Sequence, residues 1–201
     1  MKSIQQRITE RLQVNKDRVQ RYEYFPETRG ELQRMIKERI KKEGPKCNLN
    51  DIDVSKITDM YGLFSLTDFN GDISRWDVSN VENMQEMFFN SNFNGDISEW
   101  DVHNVKKMPL MFANSKFNQD ISNWDVSNVE DMFRMFGASE FNKDISKWDV
   151  SNVMQMTGMF NYSRFNQNIS KWKINSKCNI KNMFFESPLQ GKEKEWWGRT
   201  K

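Results

Sequence analysis

The residues with most chemical potential in this chain are carboxylates set in regular rows. Asp77, Asp101, Asp125 and Asp149 recur at one fixed interval, and Asp72, Asp96, Asp120 and Asp144 recur at the same interval. If equivalent residues stack about 4.8 Å apart, each row becomes a ladder of like charges that something must compensate. Backbone N–H groups and nearby Ser or Asn side chains can donate hydrogen bonds to such a ladder. Alternatively, clustered oxygens can hold a hard cation such as calcium. The chain has no glycine-rich calcium repeat, so hydrogen bonding is the preferred reading and no metal is expected. The one histidine, His103, cannot build the usual histidine triads or most zinc sites. Phosphate-binding glycine loops and the G-x-S-x-G nucleophile turn are absent. These observations predict a protein that is not an enzyme, with no cofactor and no small-molecule substrate.

The rows are set by a strict repeat. Trp76, Trp100, Trp124, Trp148 and Trp172 are 24 residues apart, as are Phe69, Phe93, Phe117, Phe141 and Phe165, and Met87, Met111, Met135, Met159 and Met183. A fixed period with large apolar residues at one phase predicts stacked units that bury their faces only against neighbours. Hydrophobic residues make up 37% of the 201, yet 13% are aromatic and 13 residues are Met, so the expected core uses few, large side chains.

Within the unit at residues 69–92, Trp76 and Val78 alternate with Arg75 and Asp77, which predicts a short strand. Val81, Met84, Met87 and Phe88 follow at helical spacing, with Ser79 and Glu82 as a capping pair; Ser127 and Glu130 repeat it. Asn70-Gly71 and Asn94-Gly95 read as return turns. Asn80, Asn104, Asn128 and Asn152 form a further row, expected to satisfy backbone groups between coils.

The phrase F-N-x-D-I-S-x-W-D-V-S-N-V-x-x-M-x-x-M-F, at residues 69–88, 93–112, 117–136 and 141–160, resembles the repeat of BspA-like leucine-rich-repeat surface proteins, the mycoplasma lipoprotein-type repeat. That resemblance extends over about residues 23–188 and implies an interaction scaffold, often on bacterial surfaces. The expected fold is therefore an α/β repeat. It would be a right-handed leucine-rich-repeat-like solenoid of about six 24-residue coils, short parallel strands plus short helices, with a helical N-terminal cap.

Three regions are expected: a helical cap at residues 1–44, a repeat solenoid at 45–188 and a tail at 189–201. In the cap, Ile4, Ile8 and Leu12 mark one helix; Thr28 as N-cap, Glu31, Leu32, Ile36 and Ile40, then Gly44 and Pro45, mark a second. Leu32, Ile36 and Ile40 suit the open end of the stack. Trp196 and Trp197 are read as folding back over the last coil, or as an interfacial or nucleic-acid-stacking tail. Cys47 and Cys178 lie at opposite ends of the array and are not expected to pair.

Net charge is +2, with 12 Lys/Arg against 7 Asp/Glu in residues 1–44 and 14 against 19 in residues 45–188. No whole-molecule field argues for nucleic acid or membrane; binding through the basic residues 1–44 is a minor alternative. No signal peptide, lipoprotein signal or membrane-length apolar run is seen, so the reading as written is cytoplasmic, although similar proteins are often at the cell surface. Asn161-Tyr162-Ser163 and Asn168-Ile169-Ser170 are then read as chance matches to the glycosylation pattern.

The positions that vary between units point to partners. One outward row reads Arg75, Glu99, Asn123, Lys147 and Lys171, and the usual Ser becomes His103 in one unit. With Asp77, Asp101, Asp125 and Asp149 alongside, this strip is the candidate surface for an unknown protein partner. Leu110 and Phe133 are a second, apolar candidate patch that would suit a homo-oligomer. The expected function is non-catalytic protein–protein interaction or scaffolding. The alternative is a carbohydrate- or cell-surface-binding adhesin module, which exposed aromatics on one face would favour.

Overall fold

A computed structural model describes residues 22–198. Its repeats lie one on another through matched backbone hydrogen bonds. At the junction of the first full repeats, the amides of Met84, Glu86, Phe88 and Asn90 donate to the carbonyls of Lys107, Pro109, Met111 and Ala113, at 2.9–3.0 Å. The same pattern continues as Met108 to Asp131, Phe112 to Met135 and Phe136 to Met159.

The local geometry overturns the expected α/β solenoid and its leucine-rich-repeat coils. Among the described residues there is no sheet: parallel pairing is confined to isolated bridges such as Asp59↔Asn83, Asn83↔Lys107 and Lys107↔Asp131. The described residues hold two helices, α1 (Arg29–Glu43) and α2 (Lys192–Trp197), and both lie outside the repeats. The repeats are built from successive β-turns. Trp76 N–H bonds the Ile73 carbonyl, Val81 bonds Val78, Met87 bonds Met84 and Phe89 bonds Glu86. The first two turns leave only Asp77 between them, too short a stretch for a strand. The latter two are i to i−3 bonds, so Met84, Met87 and Phe88 face inward without an i to i−4 helix. Ser79 caps no helix; its amide and hydroxyl both donate to Asp77 Oδ1, at 3.1 and 2.6 Å.

Each repeat also places two residues in the left-handed region. Gly62, Glu86, Leu110, Arg134, Gly158 and Asn182 share one position, with φ between 48° and 63°. Leu66, Asn90, Asn114, Ala138, Tyr162 and Glu186 share the second. These left-handed residues break any helix at four-residue intervals and turn the chain back toward the core.

The core is a set of parallel aromatic columns. Phe64, Phe88, Phe112, Phe136, Phe160 and Phe184 stack with ring centroids 5.5–5.7 Å apart. The column Phe69, Phe93, Phe117, Phe141, Phe165 stacks at 6.0–6.2 Å beside it. Every one of these rings is fully buried, and the five Trp residues of the repeat are 3–4% exposed. Each indole N–H also reaches the preceding repeat: Trp100 donates to Ile73, Trp124 to Ile97 and Trp148 to Ile121, each at 3.1 Å.

The ends are covered by other elements. Thr28 Oγ1 accepts the Glu31 amide at the start of α1, and Gly44 at φ 89° ends it. Leu32 and Ile36 are buried in the common core, and Arg39 bonds Asp51 Oδ2 at 2.8 Å. At the far end Trp197 stacks on Phe184, with centroids 6.2 Å apart, where the next Phe would lie. The candidate helix at Ile4, Ile8 and Leu12 lies outside the described residues. Cys47 and Cys178 are both buried, and neither is in a disulfide.

Gly158 is the natural test of the left-handed position, because an added Cβ would meet Arg134 Cγ at 3.2 Å and Asn161 Cγ at 3.3 Å. Gly158→Ala is expected to destabilise the chain by about 1–2 kcal/mol and lower the thermal midpoint, while Asn182→Gly raises it. Circular dichroism melts of both variants check the assignment; an unchanged Gly158→Ala midpoint contradicts it.

Candidate interaction face

Both carboxylate rows are explained by the turns they hold. Asp72, Asp96, Asp120 and Asp144 accept the amides of Ser74, Ser98, Ser122 and Ser146 at 2.8–3.0 Å. Asp77, Asp125 and Asp149 accept those of Ser79, Ser127 and Ser151 at 3.0–3.1 Å. A short acceptor two residues before the donor amide makes an Asx turn, and Asp suits it better than longer side chains. In the last repeat neutral Asn168 does the same for Ser170, so a neutral acceptor can also close the turn.

His103 keeps this arrangement. Its Nδ1 lies 2.7 Å from Asp101 Oδ1, and its amide donates to the same oxygen at 3.3 Å. The imidazole replaces the serine hydroxyl of the other repeats. The hydrogen bond from His103 is the main cause holding Asp101 below the ordinary carboxylate range. Backbone amides of Ser122 and Ser146 hold Asp120 and Asp144 low, and the Ser151 hydroxyl holds Asp149 low.

The Asn row binds repeat to repeat. Asn80, Asn104, Asn128 and Asn152 donate to the carbonyls of Ser55, Ser79, His103 and Ser127 at 2.7–2.8 Å.

Between the two Asp rows stands the variable row. Arg75, Glu99, Asn123, Lys147 and Lys171 are all exposed. Their side chains make no hydrogen bond or ion pair to another described residue. Glu99 and Asn123 come together at an open polar cleft of about 310 Å³, lined also by Asp96, Ser98, Gln119 and Asp120. The sequence reading did not place Asp96 and Asp120 on this face. The signal was present: their row flanks the variable position three residues before it, as Asp101 and Asp125 flank it two residues after.

Charge is polarised along the face. Asp96, Glu99, Asp101, Asp120 and Asp125 crowd its middle repeats, whereas Lys143, Lys147, Lys171 and Lys173 populate its C-terminal repeats. Among the described residues no cluster of three or more His, Cys, Asp or Glu could hold a metal ion.

The second predicted pair lies elsewhere. Leu110 and Phe133 are half-buried and joined through the backbone, Leu110 N–H to the Phe133 carbonyl at 2.8 Å. Leu110, not Phe133, lines an apolar cleft of about 140 Å³ with Phe89, Ala113, Arg134, Gly137 and Ala138.

A stack of turn-built repeats with one face of invariant acceptors and variable charges defines a repeat protein with an exposed, chemically graded surface. Comparison with known families gives it a place. Residues 31–138 and 111–197 match the model of "Mycoplasma protein of unknown function, DUF285", and the chain belongs to that family. No curated protein and no solved structure matches it. No helix among the described residues is long and apolar enough to cross a membrane.

The depressed carboxylates carry a pH prediction. A lowered native pKa means the proton binds the unfolded chain more readily, so the stability is present above the unfolded value of about 3.9 and lost as pH falls through the lower native values. Thermal midpoints measured from neutral to strongly acidic pH are expected to fall only on that acid limb. Replacing Asp120, Asp144 and Asp149 together by Asn, which keeps the acceptor oxygen and removes the charge, is expected to flatten the limb and to lower the neutral-pH midpoint toward the acid-limb value. An acid limb as steep as the parent's would show that these three carboxylates do not carry it.

Proposed function

We propose that this protein is a non-catalytic interaction module that recognises a protein partner through the row Arg75, Glu99, Asn123, Lys147 and Lys171. The observation that carries this reading is the division of labour on the face. Asp, Ser, Asn and His side chains on either side are committed to turns and to neighbouring repeats. The variable row is exposed and has no such duty, so its identities are free to encode a partner. Its graded charge suits steering and discrimination more than raw affinity. The resemblance of the repeat to that of BspA-like bacterial surface proteins supports a scaffold or adhesive role of the same kind.

A carbohydrate-binding role asks for aromatic rings on the recognition face. The exposed aromatics Phe25, Tyr61, Tyr162 and Phe185 lie off the variable row. A protein partner is the better fit.

The test is comparative affinity capture with Arg75→Glu, Lys147→Glu and Lys171→Glu combined, against a control with equal charge change, Lys116→Glu, Arg164→Glu and Lys181→Glu. All six positions are exposed, so each triple variant should melt close to the parent. Partners held by the face are expected to disappear from the first variant and persist with the control. An identical captured set from both variants and the parent rules out this face.

A further inference from the structure

We propose that a second copy of this chain docks on the edge formed by the left-handed turns, as an antiparallel pair whose two-fold axis passes through Leu110. The first left-handed position reads, repeat by repeat, Gly62, Glu86, Leu110, Arg134, Gly158 and Asn182, and the first five are centred on Leu110. That row is charge-complementary to itself when reversed about Leu110: Glu86 falls opposite the second copy's Arg134, Arg134 opposite its Glu86, and glycine opposite glycine. An isologous two-fold contact requires this kind of self-complementarity.

The second left-handed row carries apolar residues at equal distances from the centre, Leu66 and Tyr162, 68% and 56% exposed. The apolar cleft beside Leu110 lies at the middle, where two copies would meet first. Leu66 and Tyr162 are four repeat steps of 5.5–5.7 Å apart, with Asn90, Asn114 and Ala138 between them in the row. Glu86 and Arg134 form no ion pair with another described residue. Glu86 accepts only from the Tyr61 hydroxyl and the Gln85 amide, at 3.4 and 3.3 Å. Arg134 meets Asn161. Both charges are therefore available to a partner. Exposed apolar side chains at the core of such a contact, with charges placed to fix register, are the usual division of roles in an interface.

Leucine at a left-handed position adds a chemical argument. Leu110 has φ 57°, a conformation that glycine takes without strain and a branched apolar side chain does not. Holding leucine there costs strain, against which its partial burial within the chain and a contact with a second copy would both count.

Sedimentation velocity over a concentration series of the full chain tests this. The expected result is a monomer–dimer equilibrium. Glu86→Arg and Arg134→Glu should each weaken dimerisation at least tenfold, and an equimolar mixture of the two should recover it, because each mixed pair then faces opposite charges at both contacts. Leu110→Gly guards against a folding artefact: it should weaken the dimer while the chain keeps the parent's circular dichroism spectrum and a cooperative melt. A parent that stays monomeric throughout assigns the edge to another occupant and overturns the proposal. So does a dimer indifferent to both reversals, or a mixture that fails to recover association. The Lys147 and Lys171 reversals on the other face should leave dimerisation unchanged, which separates this outcome from the fate of the interaction face.

Discussion

The structure depends on the meeting of an indole N–H with a carbonyl one repeat away. A buried Trp is the largest apolar side chain available, but its Nε1 proton is costly to bury unpaired. Here Trp124 gives that proton to the Ile97 carbonyl, which also accepts the Trp100 amide. Both lone pairs of the carbonyl are used, and repeat is fixed to repeat in one register. The same register brings each Phe over its equivalent within 6.2 Å and aligns the amide of Asn118 with the side chain of Asn94 at 2.9 Å. A slip of one residue would remove every such bond at once, which is why the period is kept so strictly.

Exceptions in the repeat follow from this constraint. Asn83, Asp131 and Gln155 each accept the amide two residues on, from Gln85, Phe133 and Thr157. The repeat between the first two has Lys107 at the acceptor position, which has no acceptor, and Pro109 at the donor position, which has no N–H. The two departures cancel: no polar group is left unpaired. In the last repeat Lys177 stands where the others have Val, and Cys178 is buried in its place. The turn there closes from Cys178 to Asn175, one residue later than its equivalents, and Asn175 takes over both the acceptor and the inter-repeat donor roles. The register is recovered at the Gln155↔Asn179 bridge.

The inside and outside of the molecule were legible in the sequence, because large apolar residues at one phase have nowhere else to go. The Trp, Val, Met and Phe columns that recur at one fixed phase are buried, and the variable row is exposed. The secondary structure was not legible, for a physical reason. Apolar spacing of three and four residues serves a helix and a chain of β-turns equally well, and the bond that separates them differs by one residue. The decisive feature is the left-handed backbone, and most residues that adopt it carry no signal: Glu86, Leu110 and Arg134 are ordinary helix formers. Gly62, Gly158 and Asn182 alone mark the position in the sequence, and nothing in their spacing separates them from ordinary turn residues. The strand expectation failed similarly, since alternation over Trp76 and Val78 is real but is cut short by turns on both sides.

For the candidate face, the limiting step was to separate side chains that build turns from side chains that are free. Asp77 and Arg75 look equally outward in sequence, and both are exposed. The Asp77 side chain nonetheless holds the Ser79 amide, whereas the Arg75 side chain makes no hydrogen bond or ion pair to another described residue. Invariance across the repeats therefore has two physical sources here, burial for Trp and Phe and turn closure for Asp, Ser and Asn. Only a position under neither demand can change from Arg to Glu to Lys along one stack. A recognition surface on a structure of this kind must consequently be narrow, a single row bounded by residues that the backbone cannot spare. Its specificity must come from the order of charges along the row.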